Sequence, residues 1–232
     1  MVQHIPAAKR AFNDFGWLKT FWLFSFDHYH DPNNMHFGNL RVFNDDVVAP
    51  KSGFPTHPHR EMEIVTIILD GAITHQDSMG NKTAIRVGEV QRMTAGTGIT
   101  HSEYNLEDES LHLYQIWFLP RDARLKPSYE QKLFDVSGRK NVLQKIVSGE
   151  NTNGAVLIHS NASIYLSELD SGKEVKHPMK VGDGAFLYVT DGELAVNGNT
   201  LQKNDQLRIN DEGALAIAAK QNSNFILIEV EL

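Results

Sequence analysis

The sequence predicts an all-β protein made of a duplicated antiparallel β-sandwich or barrel. Three observations carry that prediction. Short β-prone runs alternate with turn residues through most of the chain. Helical periodicity is weak throughout. The second half also repeats landmarks of the first: Leu69-Asp70-Gly71-Ala72-Ile73 resembles Thr190-Asp191-Gly192-Glu193-Leu194, and each follows a β-rich apolar run.

In chain order, the clearest strands are residues 40–43, 63–69, 72–75, 82–87, 90–93 and 111–119, all rich in β-branched and aromatic residues. Asp70-Gly71, Met79-Gly80-Asn81 and Asn197-Gly198 accept positive φ without the steric penalty other residues meet, which predicts hairpins at all three. Residues 128–134 are the best short helical candidate and read as a connector. Ser137-Gly138-Arg139 lies in a turn-prone segment, so the boundary is placed near Asp135, giving domains of residues 1–135 and 136–232.

Composition narrows the chemistry. Apolar residues make up 41% and charged residues 22%, so the chain can bury a core and is far from the disordered class. A net charge of −7 with no basic cluster argues against nucleic acid as a direct partner. The absence of cysteine removes disulfides, thiolate ligands and thiol nucleophiles together. Any metal must therefore be held by nitrogen and oxygen. No secretory signal and no apolar run of membrane-spanning length is evident, so a cytoplasmic protein with no membrane contact is expected.

The most informative residues are His57-Pro58-His59 and His101-Ser102-Glu103. On a strand, alternate side chains share a face, so each pair points both polar groups the same way. Two such strands side by side would offer three imidazoles and a carboxylate to one ion. With 11 histidines in the chain, a lone one is more often a hydrogen-bonded surface or core residue. Two same-face pairs, the second just after Gly96 and Gly98, weigh against coincidence. The ligand types suit Fe(II), Mn(II), Ni(II), Co(II), Cu(II) or Zn(II) without choosing among them. An octahedral ion with four protein ligands would keep about two positions open for substrate or O2.

Other candidates carry competing readings. Glu61 and Glu63 share the parity of His57 and His59 if the strand is regular. Glu63 either faces the metal or accepts a hydrogen bond from a ligand imidazole, whereas Glu61 reads as solvated. His75 and His112 lie on strand-like segments that could face the interior, where satisfied polar residues are commoner than extra ligands. His28, His30 and His36 read as packing and loop residues. Counting from the repeated Asp-Gly pairs, His57 and His59 fall opposite Pro178 and Lys180, and residues 217–219 match the second pair. The second copy has thus lost its ligands; His177, one position off, reads as a solvated strand-end residue. Phe43, Phe54, Met93 and Phe118 are candidates for the wall of a substrate cavity.

These residues resemble the cupin superfamily and, within it, the pirin-like proteins. The first cupin motif is matched by Gly53, His57-Pro58-His59, Glu63 and Gly71, and the second by Gly88 to Asn105 with Gly98-Ile99-Thr100-His101. Gly96 stands where many cupins have proline, and Glu63 is one residue farther from Gly71 than usual; both departures match pirins. Phe24-Ser25-Phe26-Asp27-His28-Tyr29, Leu40-Arg41-Val42 with Asn44-Asp45-Asp46, and Met93-Thr94-Ala95-Gly96-Thr97-Gly98 extend the likeness. It is specific over roughly residues 15–120 and thinner beyond, and is nearest to bacterial pirin-like quercetinases.

The resemblance implies a bicupin, two stacked antiparallel β-sandwich or jelly-roll barrels with only the first occupied. It implies one divalent transition metal, iron(II) first among the candidates, held by His57, His59, His101 and Glu103, with Glu63 outside the ligand set. The implied activity is that of a quercetin 2,3-dioxygenase, an oxidoreductase that cleaves a flavonol or related phenolic or enol substrate with O2 and releases CO. Glu103 would then also accept the substrate proton. The alternative implied by vertebrate pirins is a non-enzymatic metal-dependent regulator that binds a transcription factor or metabolic enzyme.

Overall fold

In the computed structural model, which describes residues 1–152, 154–210 and 212–232, the strands form four sheets. A seven-stranded sheet runs Ser128–Leu133, Glu89–Thr94, Glu63–Asp70, Leu111–Phe118, Leu40–Val48, Leu18–Trp22, Ala11–Asp14. Its four-stranded companion runs Gly53–His59, Ile99–Tyr104, Ala72–Asp77, Lys82–Arg86. The second half repeats the arrangement, with Val2–Ile5, Gln206–Asn210, Asp183–Asp191, Ser223–Glu231, Ala162–Leu169, Gln144–Ser148 and Val156–Leu157 in the larger sheet. Glu174–Pro178, Ala214–Ala219, Glu193–Val196 and Asn199–Gln202 form the smaller one. Val2–Ile5, from the start of the chain, completes the edge of the C-terminal large sheet.

The expected barrels do not form: among the described residues no sheet closes on itself. The chain passes from large sheet to small sheet at corners, and the edge strands of the two are not paired, so each half is an open sandwich. One such corner is Asp70-Gly71. The expected hairpin is absent there, because Glu63–Asp70 and Ala72–Asp77 belong to different sheets. Gly71 has φ +78°, which lets the chain make that corner. The other two turns do close hairpins, Ala72–Asp77 with Lys82–Arg86 and Glu193–Val196 with Asn199–Gln202. The helical candidate at 128–134 is also a strand, paired antiparallel with Glu89–Thr94 at the sheet edge.

The two large sheets pack face to face. Between them lies a core that draws Phe43, Val65, Ile67, Tyr114, Ile116 and Phe118 from the first half and Ile164, Phe186, Tyr188 and Ile228 from the second. Phe43 sits 5.5 Å from Phe186 and 5.2 Å from Tyr188, ring centre to ring centre. Because both faces of these sheets are covered, their central strands read as near-continuous apolar runs rather than alternating ones. Alternation still assigns direction. Phe43 and Asp45 face the interface between halves, while Asn44, Asp46 and Val48 face the inside of the N-terminal sandwich. No helix among the described residues is long and apolar enough to cross a membrane.

Candidate metal centre

Strands Gly53–His59 and Ile99–Tyr104 are antiparallel neighbours with His57 opposite His101. A bulge between His101 and Glu103 then places Glu103 opposite Phe54. On its other side Ile99–Tyr104 pairs with Ala72–Asp77, setting His101 opposite Asp77 and Glu103 opposite His75. Ile99, His101 and Glu103 are buried while Thr100, Ser102 and Tyr104 are not, as strand alternation requires. Gly53 permits the close approach, since a Cβ there would collide with the Glu103 carbonyl oxygen. Asn105 anchors the turn after these ligand candidates by donating to the carbonyls of Val48, Ala49 and Glu109.

His57, His59 and His101 converge, with ligand nitrogens within 4.8 Å of one another; Glu103 falls in an overlapping cluster with His75 and His101. Their partners determine which ring nitrogens are free. His57 Nδ1 lies 2.7 Å from the Pro55 carbonyl, which can only accept, so Nδ1 donates there and Nε2 is the nitrogen that faces the site. His75 Nε2 lies 3.1 Å from Asp77 Oδ2. Burial raises the Asp77 carboxyl, but hydrogen bonds from Asn81 and His75 outweigh it and hold the group below its usual range. His75 therefore donates from Nε2. Burial keeps its ring neutral, which leaves Nδ1 to accept from His101 Nδ1 at 3.4 Å. His101 Nε2 thus carries the lone pair of that ring.

These two nitrogens, His57 Nε2 and His101 Nε2, face each other at 3.0 Å. Two neutral rings presenting acceptors at that distance repel unless a cation, a shared proton or a metal ion, stands against both. The separation suits two nitrogens each about 2.1 Å from one ion at roughly a right angle. Burial, followed by the charges of His57 and His59, pushes His101 down to about 2. Burial, then His57, takes His59 down to about 4. Both rings are therefore neutral near pH 7, as ligands must be. Burial pushes Glu103 up to about 7, with Gln115 opposing and Asp46 adding. Gln115 Nε2 donates to Glu103 Oε2 at 3.0 Å, while the buried Oε1 has no partner. This donor set, all nitrogen and oxygen, fits one divalent transition metal.

Glu63 lies elsewhere. Its Oε2 accepts from Thr94 Oγ1 and from the His159 amide, both at 3.0 Å, and no imidazole is among these partners. Parity is not carried from His59 to Glu63, because the chain bends between two sheets at Glu61, where φ is +50°. Glu61 instead accepts from the Arg124 amide. His112 faces the interface between halves, 2.6 Å from Asp45. His177 is not solvated as expected but buried, because its ring packs on Tyr165 and pairs with Glu229 at 3.2 Å.

A cavity of about 550 Å³ opens onto the histidines. Of the four aromatic and Met candidates for its wall only Phe54 contributes; Phe43 and Phe118 lie in the core between the halves, and Met93 packs with Ile64, Ala95 and Ile99. The wall comes instead from Trp17, Trp22, Phe26 and Trp117. Strand parity could have separated these sets, had the covered face of each strand been known. The part that His75 and Asp77 play in orienting His101 was not foreseen either; its one signal was the i, i+2 spacing His75-Gln76-Asp77.

The family description Pirin matches residues 6–118, and that of the quercetinase C-terminal cupin domain matches residues 145–230. The quercetin 2,3-dioxygenase of Escherichia coli strain K12 is 41% identical over 231 residues, 99% of each chain. The chain belongs to the pirin family. The pirin-like protein of Caulobacter vibrioides is 40% identical over 230 residues, again 99% of each. Among solved pirins, YhhW from Escherichia coli in complex with nickel(II) superposes with a TM-score of 0.94 at 39% identity, covering 100% of this chain and 99% of that one. The present pirin accordingly has a site for a single divalent transition metal, of an identity the donor types leave open.

Proposed function

We propose that this pirin is a metal-dependent dioxygenase that cleaves the central ring of a flavonol with O2 and releases CO, acting at the site of the N-terminal unit, residues 1–135, whose first strand Val2–Ile5 is lent to the sheet of the other unit. Residues 136–232 form the companion unit in this reading and supply no ligands. The observation that carries it is the pair of opposed imidazole nitrogens, His57 Nε2 and His101 Nε2, beside the unpartnered Glu103 Oε1 on an aromatic cavity. Close relatives named as quercetin 2,3-dioxygenases support the substrate class.

In this reading His57, His59, His101 and Glu103 hold the metal, and Glu63 stays outside the set. When bound, the ion supplies a Lewis acid for the substrate oxygen and a redox partner for O2. Glu103 accepts the proton of the flavonol 3-hydroxyl at Oε1, with Gln115 fixing its other oxygen. O2 then adds across C2 and C3 of the flavonolate, and carbon C3 leaves as CO. The tryptophan and phenylalanine walls keep the flat substrate in place and exclude water from the carboxylate.

Anaerobic reconstitution with each of Fe(II), Mn(II), Ni(II), Co(II), Cu(II) and Zn(II), followed by aerobic assay of quercetin loss and CO release, tests the proposal. Turnover with CO in stoichiometric yield is expected for at least one metal. No turnover in fully loaded protein would overturn it.

A further inference from the structure

The cavity above the histidines has a polar floor that the metal does not use. Leu40–Val48 directs Asn44 and Asp46 into it, 4% and 3% exposed. Asn44 stands opposite Gln115 in the sheet, and Gln115 in turn holds Glu103. Asn44 Oδ1 and Asp46 Oδ1 are both buried without a hydrogen-bond partner. Thr20 is the neighbour of Asp46 across the ladder, and its hydroxyl lies close enough to lower the pKa of that carboxyl without making a hydrogen bond of good geometry to Oδ1. Trp117 Nε1, on the same cavity, is a buried donor with no acceptor.

Buried polar atoms are almost always satisfied, because stripping a group of water without replacing its hydrogen bond is unfavourable. Besides Glu103 Oε1, the three orphans Asn44 Oδ1, Asp46 Oδ1 and Trp117 Nε1 on one cavity therefore describe a complement that comes from outside the chain. Two are acceptors, so the missing partners include hydroxyl donors; the walls are aromatic, so the body that carries them is flat and apolar. Glu103 is already assigned to the reacting hydroxyl, which makes the donors at Asn44 and Asp46 additional ones.

Resting on the dioxygenase reading for the reacting end of the ligand, we propose that Asn44 and Asp46 determine specificity. They select planar polyphenols that carry hydroxyl groups besides the one beside the metal, and Trp117 Nε1 meets a ligand oxygen. A flavonol stripped of its outer hydroxyls fits the walls but leaves both acceptors unsatisfied, and is bound more weakly.

All three tryptophans of the chain line this cavity, so quenching of their fluorescence reads occupancy without any turnover. Nickel-loaded protein is titrated anaerobically with quercetin and with 3-hydroxyflavone, which lacks the outer hydroxyls. Wild type should prefer quercetin by at least about tenfold, and Asn44→Leu and Asp46→Leu should each reduce that preference by roughly five- to tenfold. They should leave 3-hydroxyflavone within about twofold. Asp46→Asn keeps an acceptor oxygen and should keep most of the preference; Asn44→Ala replaces Asn44→Leu if the latter does not fold. Equal affinity of wild type for the two flavonols, or a preference untouched by both apolar substitutions, overturns the proposal. Discrimination in binding without CO release would instead overturn the dioxygenase reading and leave this one standing.

Discussion

Replacing His75 by leucine isolates the part of the metal centre that binds no metal in our assignment. His75 accepts from His101 Nδ1 and donates to Asp77, and this chain is what turns the His101 Nε2 lone pair toward His57. The 3.4 Å contact is long, so its direct loss amounts to about 1 kcal/mol. The larger effect is that His101 becomes free to move its hydrogen to Nε2 and rotate. Loss of such supporting partners typically weakens metal affinity about 10- to 100-fold, or about 1.4–2.7 kcal/mol. Competition between the apoprotein and a chelating dye for Ni(II), under anaerobic conditions, measures the change directly. The His75→Leu protein should bind at least about tenfold more weakly, whereas His75→Gln, whose amide oxygen can still accept from His101, should stay within about threefold. A leucine variant that melts like wild type and binds Ni(II) within about twofold of it would refute the relay.

Three further outcomes follow from the same geometry. Glu103→Gln should abolish CO release and lower metal content by elemental analysis, while Glu63→Gln should keep its metal, since Glu63 bonds Thr94 and the His159 amide instead. Asp46 is pushed up to about 7, chiefly by burial, with the nearby Thr20 hydroxyl opposing. Its native state therefore binds a proton that the unfolded chain has already lost above about pH 4. Stability from this group is present below that pH and is lost as pH rises through 7, so Asp46→Asn should match wild type in urea unfolding near pH 4. Near pH 8 it should exceed wild type, by up to about 4 kcal/mol; a pH-independent difference would contradict this. Tyr188→Phe removes a hydroxyl that accepts from Arg10 at 2.7 Å and donates to Asp45 at 2.9 Å between the halves. Urea titration should show a loss of about 1–3 kcal/mol.

Legibility differed by residue. The spacing of His57, His59, His101 and Glu103 needs only strand alternation to be read, and the structure brings the three histidines together and sets Glu103 beside His101. The strands at 40–43, 63–69 and 111–119 were legible because β-branched runs between turn residues are a local signal. Ser128–Leu133 was not, because its local pattern favours a helical turn and only the ladder to Glu89–Thr94 extends it. Glu63 was placed by carrying parity through a bend, and parity ends where the chain changes sheet.

By itself, then, the sequence determined the β class, the duplication and the ligand chemistry, all of which depend on residue type and short-range period. Only the tertiary structure decided that the sandwiches stay open, which face of Asn44-Asp45-Asp46 looks into the cavity, and that Asp77 and His75 orient His101. Those facts depend on which strands become neighbours, and neighbours chosen across tens of residues leave no periodic trace in the chain.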